Sequence, residues 1–204
     1  MRGKKLIVSM VMVCFALTLF AGTAMAAKVL KVGVLGPFTG PSAKNGAEFK
    51  ASVEMALDKI NYTVGDYKLE IVWIDSQSDP AKAASAYAEA VERKGIDCAI
   101  HNWHSSVAVA AMDVAAQYKI PHWFGFGATE VVNEKWKADP EKYSYWGGKG
   151  WPIPAKMAQG YIDCLENAIA DGSYKPKSKT VAIYGEDSDW GRSLGGALKG
   201  FFAD

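Results

Sequence analysis

Cysteine is scarce in this chain of 204 residues: of three, one lies in an apolar leader, so the body keeps only Cys98 and Cys164. That excludes a disulfide-dense miniprotein. Charge of one sign is lacking too. The balance of 23 basic against 22 acidic residues leaves no basic excess to neutralise a phosphate backbone, which argues against a nucleic-acid partner. With 50% hydrophobic and 22% charged residues, and no repeat or low-complexity segment, disorder and collagen-like architectures are excluded as well.

Several chemical signatures are also missing. The glycine-rich stretch from Gly33 to Gly40 matches neither G-x-G-x-x-G nor G-x-x-x-x-G-K-[ST], so it does not imply nucleotide binding. No G-x-S-x-G elbow is present, and His104, Asp75 and Ser105 are therefore not read as a hydrolytic triad. His101 and His104 stand in H-x-x-H spacing, yet zinc takes three or four ligands and only His122 offers a third. Glu186-Asp187-Ser188-Asp189 lacks the spacing of an EF-hand loop and reads as solvated charge. Neither a catalytic residue, a metal nor a cofactor is expected.

One long apolar run exists, Leu6 to Phe20, preceded by Arg2, Lys4 and Lys5 and followed by Ala24-Met25-Ala26. This is the three-part layout of a secretory signal peptide over residues 1–26. Counted to Ala21 the run is short for a bilayer span, which needs about 20 residues. Cys14 lies inside the run, so no lipid-attachment box is seen. The expected location is periplasmic or extracellular, and removal of the leader leaves a slight acidic excess. Cys98, in a short strand, and Cys164, in a later helix, are expected as two separate buried thiols.

What remains alternates between strands and helices. Lys28–Leu35 reads KVLKVGVL, a strand ending in the loop Gly36-Pro37-Phe38-Thr39-Gly40. Phe49, Val53, Ala56, Leu57 and Ile60 recur at helical spacing. Lys68–Ile74 is a second strand. Asp79 as N-cap and Pro80 at the first helical position open a second helix, which buries Ala84, Tyr87, Ala88 and Val91 and stops at Gly95. Ile96–Ile100 is a short apolar strand, Ser105-Ser106 cap a third helix, and Ile120–Phe124 is a fourth strand. Strand–helix alternation with short connections implies right-handed crossovers and a parallel sheet covered on both faces. Ligands of such sheets bind beyond the carboxyl ends of the strands. The loops Gly36–Gly46, His101–Ser106 and Phe124–Glu130 therefore share one rim.

Beyond this the pattern changes. Asn133–Lys142 reads as helical or irregular and Tyr143–Trp146 as a short strand. Gly147 to Pro152 has the turn residues of a flexible connection. A helix carrying Met157, Tyr161, Cys164, Leu165 and Ile169 follows, then a strand over Thr180–Tyr184 and a helix from Trp190. One helix–strand–helix is too little to cover a sheet, so this second unit reads as incomplete.

The segments KVGVLGPFTGPSAKNG at 31–46, DSQSDPAKAASA at 75–86, HNWHSSVAVAAMDVAAQYKIP at 101–121 and VAIYGEDSDWGRSLG at 181–195 resemble, in order and spacing, the type I periplasmic substrate-binding proteins of ABC importers, branched-chain amino-acid (Leu/Ile/Val) binding family. The resemblance implies an α/β fold of parallel sheets flanked by helices, in two lobes with the second incomplete: residues 27–146 form lobe 1, and 147–204 the hinge and part of lobe 2. It implies a monomer that binds an amino acid or related small carboxylate between the lobes and delivers it to an ABC permease in the inner membrane. A ligand-sensing domain of the same fold is the alternative; a secreted hydrolase fits less well.

Residue by residue, the family's carboxylate-binding serine matches Ser105, beside Ser106 at a helix start. A helix N-terminus independently offers unpaired N–H donors and about half a positive charge. The family's backbone-carbonyl contact matches Gly127 and its hydroxyl contact Thr129. Asn45 stands where an aromatic residue is common, and Trp190 matches a tyrosine that closes over the ligand. His104 is read as donating toward the ligand or orienting Ser105. The residues themselves put Trp103, Trp123, Phe126, Trp151 and Trp190 on the same rim, with Trp103 and Trp190 the stronger cleft candidates. A surplus of aromatic surface points to a flatter or more aromatic ligand than leucine.

Overall fold

The computed structural model describes residues 28–101 and 103–203. Six strands form one sheet: β1 (Lys28–Gly36), β2 (Thr63–Val64), β3 (Tyr67–Asp75), β4 (Cys98–His101), β5 (His122–Phe124) and β6 (Trp146–Lys149). Their spatial order is β2-β3-β1-β4-β5-β6, and every pairing is parallel except the short β2–β3 hairpin. β1 is central, and its adjacent residues Val34 and Leu35 are both fully buried. Burial on both faces is what its unbroken apolar run requires in a parallel sheet.

Among the described residues, six α-helices accompany the sheet: α1 (Ala43–Lys59), α2 (Pro80–Glu89), α3 (Ser105–Tyr118), α4 (Val131–Ala138), α5 (Pro154–Ala170) and α6 (Asp189–Phe201). On one face α2 and α3 pack Ala83, Tyr87, Val107 and Ala111 onto Leu35, Ile74 and Ala99. On the other, Phe38 lies against Phe49 of α1 and edge-on to Trp73 of β3. The Asp79 side chain accepts from Lys82 N–H at 2.8 Å with Pro80 behind it, so α2 starts where the capping signal put it. α2 widens into one π turn over Ala90–Lys94 and ends on Gly95 in the left-handed conformation, φ +65°. Its buried stripe is Ala83, Tyr87 and Ala90, while Ala84, Ala88 and Val91 are half-buried, so the face is turned by one residue from the expected one.

Three expectations are corrected. The strand expected at Tyr143–Trp146 begins only at Trp146 and takes in Gly147 and Gly148, which had been read as a flexible connection. Those glycines accept the Trp123 ring: a Cβ on Gly148, whose φ is +118°, would meet it at 3.2 Å. Tyr143 is instead buried, its hydroxyl donating to Asp113 at 2.7 Å. Second, Thr180–Tyr184 forms no strand, and Tyr184 is fully exposed. A β-branched run pairs only where a neighbour takes up its N–H and C=O groups, and no described strand pairs with it. Third, Cys164 is exposed and Cys98 half-buried, both as free thiols.

Candidate functional site

From β1 the chain crosses through α1 to β3 on one side, then through α2 to β4 on the other. The strand order therefore reverses between β1 and β4, and the loops beyond their carboxyl ends separate to leave a crevice. The two loops meet there. Ser42, the residue before α1, does not cap its own helix; its Oγ lies 3.0 Å from His104 Nε2, in the loop after β4.

The first loop is held rigidly from behind. Asp75, at the end of β3, accepts from the Thr39 hydroxyl and from the N–H groups of Thr39 and Gln77. Burial works to raise its pKa, but these hydrogen bonds outweigh it and leave the carboxyl below its usual value. Ser78 Oγ accepts from Ser42 N–H at 3.2 Å. Gly40, at φ +86°, passes so close to Gln77 that a Cβ would stand 2.6 Å from its carbonyl oxygen.

α3 begins at Ser105 with His104 as N-cap, and no side chain among the described residues caps it. Its first-turn N–H groups are left for water or a ligand. The Ser105 side chain is occupied: it is buried, and its Oγ accepts from Thr129 N–H at 3.3 Å. This bond ties the helix start to the loop after β5. Gly127 in that loop has φ +83°, and a Cβ there would press Ala108 of α3 at 2.8 Å, so a glycine is required. Lys149 steadies the same loop, its Nζ donating to the carbonyls of Ala128 and Thr129 at 3.2 and 2.9 Å. Burial lowers the Lys149 pKa to about 8, although Glu130 pulls it the other way.

A cavity of about 520 Å³ opens over this junction. Its polar floor consists of Ser42, Ser78, His104, Ser105 and Ser106, beside the backbone of Gly127 and Ala128. His104 Nδ1 is buried there without a hydrogen-bond partner among the described residues. Burial lowers the His104 pKa, opposed by the charge of Glu186, so the ring is neutral at pH 7. The walls are aromatic. Phe126 lies 5.7 Å from Trp103 and stacks on Trp151 at 4.5 Å between ring centroids. Trp103 holds φ +85°, a left-handed conformation that costs a bulky residue about 1–3 kcal/mol and clusters at functional sites. Across the cavity stand Met157 of α5, Glu186, Ser188, and Trp190 of α6.

Of the residues singled out in the sequence, the structure brings Trp103, His104, Ser105, Ser106, Gly127 and Trp190 to this one cavity. Thr129 stands behind it: fully buried, its hydroxyl lies 3.2 Å from Ser193 Oγ and accepts from Val131 N–H. Asn45 lies in the first turn of α1 and does not line the cavity. Trp123 is spent on the glycines of β6, away from the cavity, and is 46% exposed. His101 and His122 form no cluster with His104; their rings stack at 5.1 Å inside the core. Ser42, Ser78, Ala128, Met157, Glu186 and Ser188 line the cavity too and were missed as site residues by sequence reasoning.

Ser105→Ala would leave the buried Thr129 N–H without its acceptor. The expected loss of stability is about 1–3 kcal/mol, read by chemical denaturation; a change below a few tenths of that would show the bond to be idle.

The family model described as "periplasmic binding protein" matches residues 29–204. The chain belongs to that family. Among curated relatives, Leu/Ile/Val-binding protein homolog 8 of Brucella suis biovar 1 is 31% identical over 186 residues, 89% of this chain but 43% of the relative. Homolog 6 of Brucella abortus is 33% identical over 116 residues, 56% of this chain and 30% of the relative. Among solved structures, a protein described as a branched-chain amino acid ABC transporter from Silicibacter pomeroyi superimposes with TM-score 0.73 at 21% identity, covering 86% of this chain and 45% of that one. A solute-binding protein from R. palustris in complex with 4-hydroxybenzoate gives 0.68 at 22% identity, covering 86% and 44%. These likenesses show the fold, a type I periplasmic binding protein fold of which the chain spans about half. The signal peptide expected at 1–26 lies outside the described residues.

Proposed function

We propose that this chain is the exported solute-binding component of an ABC importer, which captures a small carboxylate in the cavity between the 28–149 sheet unit and the segment from Gly150 onward. The observation that carries this reading is the start of α3, which no described side chain caps, opening beside His104 Nδ1, which has no partner among the described residues, into a cavity at the strand-order reversal. A carboxylate there takes up the first-turn N–H donors and meets the positive end of the helix dipole. The solute docks on the sheet unit; Trp190 and Glu186 then close over it and exclude water, with closure driven by contacts available only in the closed state. The permease of the inner membrane receives the solute from a monomeric carrier. Relatives described as Leu/Ile/Val-binding and neighbours in complex with hydroxybenzoates agree with a carboxylate as the common element.

Ser106→Asp tests the reading, because its carboxylate would occupy the same N–H donors without weakening the helix. In thermal-shift measurements with a panel of small carboxylates, at least one should stabilise the wild-type chain and lose that effect in the variant. Equal stabilisation of both proteins, or turnover of the stabilising solute, would contradict it.

A further inference from the structure

Resting on that reading of the cleft, we infer that its solute carries a methylated, quaternary ammonium group as well as the carboxylate, a betaine-type zwitterion whose cation sits among the aromatic walls beside Glu186. Charge is the first argument. Glu186 is the one formally charged side chain among the described residues lining the cavity, and no lysine or arginine lines it. A solute bearing only a carboxylate would add a second negative charge opposite Glu186, with only helix donors and a neutral imidazole to offset it. A zwitterion balances both ends at once.

Hydrogen-bonding capacity is the second. A primary ammonium has three protons to place, and the hydroxyls of Ser42, Ser78 and Ser188 each already hold a hydrogen bond. Ser42 Oγ pairs with His104 Nε2, Ser78 Oγ accepts from Ser42 N–H, and Ser188 Oγ accepts from Gly191 N–H while donating to Glu186 Oε1 at 2.6 Å. A quaternary ammonium needs no acceptors; it needs aromatic faces and a distant counter-charge. Trp103, Phe126, Trp151 and Trp190 line the cavity, and indole is the best of the aromatic partners for a cation. Glu186, fixed by Ser188, supplies the counter-charge. The carboxylate of the same solute stays at the start of α3.

The test titrates the full 204-residue chain by tryptophan fluorescence with four probes: glycine betaine, its uncharged-headed isostere 3,3-dimethylbutanoate, L-leucine and benzoate. Betaine should bind about tenfold more tightly than the isostere, and Glu186→Gln should erase most of that difference, weakening betaine and strengthening the isostere. Equal affinity of betaine and isostere overturns the inference. So does tighter binding of leucine or benzoate than of betaine, an outcome that leaves the carboxylate-receptor reading standing. Binding of none of the four overturns that reading, and the inference with it.

Discussion

Gly46→Ala should cost about 3 kcal/mol or more of stability and should displace the first cleft loop. Gly46 is buried in the first turns of α1, where the helix runs directly over that loop: a Cβ would stand 2.1 Å from the Pro37 carbonyl oxygen and 3.1 Å from Phe38 Cα. Those are backbone atoms, so no rotamer change can absorb the clash. The loop cannot retreat freely, because Asp75 holds Thr39 by two hydrogen bonds and Phe38 is wedged between Phe49 and Trp73. Overpacking against fixed neighbours falls in the upper part of the usual mutational range. The loop's movement would carry Ser42 away from His104, so the variant should also lose solute-induced stabilisation. Urea denaturation with a midpoint unchanged from wild type would show that α1 and the loop do not meet this closely.

The second large effect is a loss of stability in mild acid, from the stacked pair His101–His122. His101 is 2% exposed, packed edge-on by Tyr87 and flanked by Phe124, and neither ring nitrogen has a partner among the described residues. Burial, reinforced by the neighbouring His122, holds its pKa well below the usual value; burial lowers that of His122 as well, against the pull of its bond to the Ile120 carbonyl. Both rings are therefore neutral when folded and take up protons near pH 6.5 when unfolded. The unfolded state binds more protons below that pH, so stability falls as pH falls. For His101 the loss grows as the pH falls from 7 towards 5, and His122 adds in the same direction. Carboxylates such as Asp75, held below their normal pKa, act only at lower pH, which separates the two windows. His101→Phe keeps the aromatic stack and removes one titrating ring, so its stability should vary less between pH 7 and 5. A wild-type stability that is flat over that interval would contradict the buried neutral pair.

How much of this was legible in the sequence follows from which signals are local. β1, β3 and the start and stop of α2 rest on β-branched runs, Asp79-Pro80 and Gly95, all of which act within a few residues. Ser105 and Ser106 stood out because a helix start is a local event, and their use in a cavity followed from the strand–helix alternation. Ser42 and Ser78 were hidden because their relevance depends on strand order, which places the loops after β1, β3 and β4 together. The one local sign was a serine before α1; that its hydroxyl goes to His104 instead of the helix cannot be read from spacing. Thr129 and Asn45 came from the resemblance, and the structure turns Thr129 toward Ser193 and places Asn45 within α1. Gly147 and Gly148 misled because a glycine pair reads as a turn, whereas here the missing side chains make room for Trp123. Thr180–Tyr184 misled for the opposite reason: its propensity is that of a strand, but pairing is a tertiary event.

The most direct measurement is amide chemical-shift perturbation in the ¹⁵N-labelled chain during titration with the solute that stabilises it. A solute gripped at the start of α3 should shift the amides of Ser105, Ser106 and Val107 and the indole of Trp190 together, with one dissociation constant. Shifts confined to the outer groove between Ile183 and α6, with the first turn of α3 unmoved, would contradict it.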